Sequence, residues 1–153
     1  MCLKLNFDII YYMKKIIYIL ILLIIFLGFY FIQKSDSKES DFLYNNSSKD
    51  LIFVTNPSPN DKISKQFKLL GQAKGFWYFE ASFPVEVYDS NNNLIFQTFA
   101  KAQGDWMIED FVPFVSDINI ANYQGAVKVV LKRDNPSGDT KNDADLSFKL
   151  VVN

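Results

Sequence analysis

Four carboxylic acids are the first candidates for chemistry in this chain. Glu80 and Glu86 stand within GFWYFEASFPVEVYD (75–89), and Glu109 and Asp110 are adjacent within GDWMIEDFVPF (104–114). Two carboxyls about 5–10 Å apart in one cleft can share acid, base and nucleophile roles in glycoside hydrolysis. A carboxylate-dependent cell-wall glycan hydrolase is therefore one reading. Other nucleophilic chemistries lack their parts. The chain has no histidine, and its single cysteine is Cys2, which leaves no Ser-His-Asp or Cys-His arrangement and no zinc site of His and Cys ligands. The simpler reading of the four acids is solvated charge on strand faces and loops, where ionised side chains usually sit.

Cation chemistry fares no better. Asp89, Asn91 and Asn93 alternate like the start of a calcium loop, but Leu94 holds the position of the required glycine and Ala100 that of the bidentate glutamate. An Asn-rich hairpin turn is the better reading. Asp139, Asp143 and Asp145 are likewise read as solvated loop acids, so neither a metal nor a cofactor is expected. Lys and Arg number 16 against 17 Asp and Glu. No basic stripe with interleaved aromatics occurs, which argues against a nucleic-acid partner.

The elements that would position these residues are strands. In GFWYFEASFPVEVYD, Trp77, Phe79, Ala81, Phe83, Val85 and Val87 fall on one face at period two, with Tyr78, Glu80, Ser82, Glu86 and Tyr88 on the other. The stretch reads as one central core strand in which Pro84, lacking an N–H, marks an edge or a bulge. Further strands are expected over Leu51–Thr55, Gln66–Lys74, Leu94–Ala102, Phe111–Ile120, Ala126–Arg133 and Leu146–Val152, divided by turn chemistry such as Asn135-Pro136-Ser137-Gly138. About seven short strands predict an all-β, immunoglobulin-like antiparallel sandwich, with a barrel as the lesser alternative.

Ahead of that domain, Ile16–Ile32 is an uncharged run of seventeen residues, about 25 Å long as a helix and near the short limit for crossing a bilayer. No small-residue cleavage pattern follows it, so an uncleaved transmembrane signal-anchor is expected. Lys14 and Lys15 before it point to a cytoplasmic N-terminus over residues 1–15. Met13-Lys14-Lys15 also reads as a start. Gln33–Asp50 reads as a flexible stalk, and 51–153 as the sandwich on the extracytoplasmic side of a single-pass cell-membrane protein.

In an antiparallel sandwich alternate connections gather at one end. Lys74–Phe76, Gln103–Asp110 and Asp134–Asp145 should therefore meet, bringing Trp77, Trp106 and Glu109 toward Asn135 and Ser137. The stalk is expected to enter from this same pole. These five residues form the candidate binding patch, with Trp106 as anchor and the acids as rim; a Trp that merely plugs the core is the plainer alternative.

GFWYFEASFPVEVYD, GDWMIEDFVPF and GAVKVVLKRDNPSG together resemble the immunoglobulin-like domain of bacterial spore germination proteins, the GerM-associated family, over about Leu51 to Asn153. The resemblance implies a β-sandwich exported to the bacterial envelope, often joined to other extracytoplasmic modules, and it implies no enzymatic activity or defined ligand. The leading expectation is a membrane-anchored binding or scaffolding module with a protein or cell-wall partner.

Overall fold

Period-two patterning becomes strands along most of the chain. The structure is a computed structural model that describes residues 11–26 and 41–153, which fall into separate units divided between Ser37 and Lys38. In the first unit residues 11–26 are helical throughout. Its apolar side chains from Ile16 to Phe26 are 47–73% exposed, so the helix is apolar on all sides from Ile16 onward. Among the described residues no helix is long and apolar enough to cross a membrane. The expected span continues over 27–32, outside the described residues.

The second unit contains nine strands: β1 (Leu43–Asn45), β2 (Ile52–Asn56), β3 (Lys62–Ile63), β4 (Gln66–Lys74), β5 (Ser82–Tyr88), β6 (Leu94–Ala102), β7 (Phe111–Asn119), β8 (Gly125–Lys132) and β9 (Asp145–Val152). They form one sheet in the order β1-β9-β8-β5-β6-β7-β4-β2, with β3 also on β9. Every pairing is antiparallel except β3 on β9, which is parallel. The β6–β7 ladder is short, consisting of Lys101↔Val115 and Ala102↔Phe114. Around that joint the sheet curls, so that β7-β4-β2 faces β5, β8 and β9. The rings of Phe83 on β5 and Phe114 on β7 meet edge to face at 5.1 Å. Ile52, Leu69, Val85, Val87, Leu131, Leu146 and Leu150 are fully buried around them.

Three expectations change. All seven expected segments form strands, yet β1 and β3 raise the count to nine. β1 lies inside the expected stalk; Leu43 pairs with Ser147 and Asn45 with Asp145, and Phe42 meets Phe148 at 5.2 Å. The largest change concerns the central strand. Gly75–Trp77 is a 3-10 turn, and β5 starts only at Ser82. Between them Glu80 and Ala81 have positive φ (49° and 60°), while Phe79 and Ser82 exchange N–H···O bonds of 3.0 and 3.1 Å. This is a type I′ reversal. It leaves Phe79 43% exposed, whereas Trp77 and Phe83 on either side remain buried.

Pro84 is accommodated because β8 pairs with β5 only from Val85 onward. β5 is an interior strand, but at Pro84 one side carries no ladder.

Phe83 touches Trp77, Tyr78 and Phe114, and its side chain is fully buried. Truncation leaves a cavity that such a packed site closes poorly. Phe83→Ala should lower unfolding stability by about 3–5 kcal/mol, read as a shift in the guanidinium midpoint at unchanged slope.

Candidate functional site

Chain reversal brings four connections, 46–51, 75–81, 103–110 and 133–144, to one pole of the sheet. Backbone bonds tie them together. Gly75 N donates to Asp110 O (3.2 Å), Lys74 N to Leu51 O (2.8 Å), Asp134 N to Trp77 O (3.1 Å) and Ala102 N to Ala81 O (2.9 Å). Ser47 Oγ donates to Asp145 O at 3.0 Å. A Cβ on Gly75 would stand 1.8 Å from Ile108 O and 2.5 Å from Trp106 O. Only glycine lets the 106–108 backbone approach so closely.

The gathering of Trp77, Trp106 and Glu109 with Asn135 and Ser137 at one pole follows the parity of the connections. Their surroundings differ from one to the next. Trp77 is fully buried and belongs to the core, where no docking partner reaches it; its indole Nε1 has no hydrogen-bond partner in the structure. Trp106 is half-buried and packs on the rim of the core. Asn135 donates to Asp139 O (2.9 Å) and Asp143 Oδ1 (2.7 Å), and Ser137 Oγ donates to Asn135 Oδ1 (2.6 Å). These two build the 133–144 connection. Glu109 is exposed.

Four large apolar side chains also reach solvent at this pole: Met107 at 77% exposure, Phe76 at 52%, Phe79 at 43% and Ile108 at 42%. Patterning missed them as a set. Phe79 falls on the buried parity of its stretch.

Residues 46–51 lead into β2, the first strand expected from the sequence, from this pole, but they follow from β1 and not from a stalk. β1 runs toward the pole, ending at Asn45 opposite Asp145, while Asp41 accepts a bond from Asn60 Nδ2 (2.8 Å). The chain thus approaches β1 from the opposite end.

Residues 51–139 match the family described as the immunoglobulin-like domain of bacterial spore germination. The chain belongs to this family. No curated protein matches it. The matched part of the immunoglobulin-like domain stops at 139, short of the expected Asn153, although β9 beyond it pairs with β8 along its whole length.

Within the immunoglobulin-like domain the four candidate carboxylates are held apart in role. Glu86 is buried, 2.7 Å from Lys132 Nζ, and accepts from Tyr88 Oη at 2.5 Å. Burial alone would raise its carboxyl, but the bonds from Lys132 and Tyr88 outweigh burial and hold it below the ordinary range. Asp110 meets Lys74 Nζ at 3.2 Å; that bond, with one from Phe111 N, lowers its carboxyl. Glu80 occupies the reversal before β5. Asp134 is pushed upward by burial, with Glu80 adding to the effect.

The Asp89 carboxylate accepts from Asn91 N (2.8 Å), Asn93 N (2.8 Å) and Asn93 Nδ2 (2.9 Å), which makes the stretch a side-chain-capped turn. Asp139 pairs with Lys141 at 2.7 Å, and Asp145 accepts from Asn45 at 2.9 Å. Among the described residues no three acidic, His or Cys groups converge as metal ligands.

Two predictions test these assignments. Gly75→Ala drives a methyl into the 106–108 carbonyls, and should cost about 1–3 kcal/mol as overpacking does, with amide exchange rising first over 103–110. For Glu86, the folded pKa lies below the unfolded one. Its stabilisation is complete above the unfolded Glu value of about 4.3 and disappears as pH falls through the folded value. Wild type should therefore melt above Glu86→Gln at pH 7, with the gap closing in acid. A gap independent of pH would overturn the ion-pair account.

Proposed function

We propose that this chain is a membrane-anchored, extracytoplasmic binding or scaffolding module of the bacterial cell envelope that acts without catalysis. Family membership supports a binding module. Anchoring is supported by the helix over 11–26, whose apolar side chains face outward on all sides from Ile16 onward; such a helix requires an apolar surrounding. The uncharged run continues in the sequence to Ile32. Two of the four acids that carry the hydrolase alternative are engaged by cations, Glu86 by Lys132 and Asp110 by Lys74.

One observation carries the binding reading. Met107, Phe76, Phe79 and Ile108 are exposed on connections whose bases are fastened to each other by backbone bonds. Large apolar side chains on a fixed frame bind at low entropic cost. A protein or wall component of the envelope docks there, with Met107 and Ile108 replacing Trp106 as foremost anchors.

The test places a photoreactive residue at Met107, or at exposed Asn122 on the opposite pole, in the full chain within its own bacterium. Adducts should form from position 107 and not from 122, on a protein found in the membrane fraction with residues 16–32 intact. Equal adducts from both positions, or a mature N-terminus beyond residue 28, would sink the proposal.

A further inference from the structure

We infer that the partner presents a cationic protein segment, carrying at least one apolar side chain, to the pole formed by the 75–81 and 103–110 connections. The inference rests on the binding reading above and names the chemistry of what binds.

The pole is chemically two-part. Its apolar centre is Met107, Ile108, Phe76 and Phe79. The deeper side chains Trp77, Phe83 and Phe114 already fill the core behind it, so these four are surplus to folding. Around them the charge is unbalanced. The connections 46–51, 75–81, 103–110 and 133–144, together with Lys74 at the end of β4, hold eight Asp and Glu against four Lys and Arg, although the net charge of the whole chain is only −1. The few cations are also turned to local use. Lys74 is engaged by Asp110 and by the Phe111 ring at 4.3 Å, Lys141 by Asp139, and Arg133 donates to the Asn142 carbonyl. Asp105 and Glu109 flank Met107 and Ile108 and stay exposed.

An apolar centre inside a charged rim is the anatomy of a protein interface. The rim sets the sign of what approaches, because like charges brought together across an interface cost several kcal/mol. An anionic bilayer, an anionic wall polymer and an acidic protein are repelled; a Lys- or Arg-bearing segment is drawn in. A neutral glycan gains nothing from the rim. The rival class is a lipid surface entered by Met107 and Phe76, and the acids disfavour it.

The experiment uses the full chain with the photoreactive residue at 107, in isolated envelope membranes, and identifies the adduct by mass spectrometry. The expected adduct is a protein segment with more Lys and Arg than Asp and Glu. Raising salt from about 0.01 M to about 1 M shortens screening from about 30 Å to about 3 Å, and should cut the yield about tenfold. Glu80→Lys with Glu109→Lys should do the same, while Asn122→Lys with Gln124→Lys at the opposite pole should not. The salt arm leaves the protein unchanged, so a folding defect cannot imitate it. A lipid or glycan adduct, a neutral or acidic segment, or a yield indifferent to both salt and reversal would overturn the inference while leaving the docking pole in place. No adduct at all from position 107 would remove the binding reading and this inference with it.

Discussion

The edge-to-face contact of Phe83 with Phe114 is the interaction on which the rest of the domain depends. The two halves of the curled sheet share a short ladder, Lys101↔Val115 and Ala102↔Phe114, extended by bonds from Gln103 N to Pro113 O (2.8 Å) and from Ser116 Oγ to Phe99 O (3.1 Å). Backbone hydrogen bonds alone therefore leave the halves hinged, and side-chain packing across the interior must close them. Phe83 is central to that packing. Its ring lies 5.1 Å from Phe114, 5.1 Å from Tyr78 and 6.4 Å from Trp77. Each such aromatic pair is worth about 0.5–1.5 kcal/mol beyond the area it buries. The cluster also carries the pole. Tyr78 Oη donates to Val112 O at 2.7 Å, and the Trp77 carbonyl receives Asp134 N. The 75–81 connection thus lies over the open end of the core, and the 103–110 connection rests on Gly75.

Much of the fold was legible because burial on one face imposes a period of two. Gln66–Lys74 and Leu94–Ala102 are strands over the residues that the pattern marks. Gly75–Asp89 misled for a physical reason. A type I′ reversal inserts two residues at φ > 0, usually announced by Asn-Gly or Asp-Gly. Here they are Glu80 and Ala81, which carry no turn chemistry, and the reversal preserves the parity of Trp77 and Phe83. The alternation therefore continues through a place where the strand does not. β1 escaped notice because Phe42, Leu43 and Tyr44 lie in a polar run; their place is settled by long-range pairing with β9, which composition does not report.

For the candidate site, the gathering of the connections at one pole was legible, and the surroundings of their side chains were less so. Counting connections located the pole, since chain reversal needs no knowledge of register. Periodicity also put Trp77 on the core face, which is where it lies. What the sequence could not show is which side chains are left over once the core is full. Met107 and Trp106 are neighbours in the same connection, yet one is 77% exposed and the other is half-buried, a difference decided by how the 106–108 backbone seats on Gly75. The acid surplus is hidden in the same way, because a nearly balanced chain conceals a polarised pole until its connections are brought together.

The reversal at Glu80–Ala81 suggests that the pole is under a demand other than stability. Each non-glycine residue in the left-handed region costs about 1–2 kcal/mol, and an Asn-Gly pair would make the same turn at lower cost. The turn leaves Phe79 exposed beside Glu80, so the strained residues and the displayed aromatic are products of one local geometry. Such outliers persist where the surroundings over-determine them, and they concentrate at sites that hold a ligand or partner. Here the surroundings are explicit: Ala81 O accepts Ala102 N, and β5 begins at once with Ser82 paired to Lys101. The chain therefore has no slack in which to relax the turn. A flexible connection would hide Phe79 against the domain for part of the time, whereas this one keeps it displayed, which is the condition a docking surface needs.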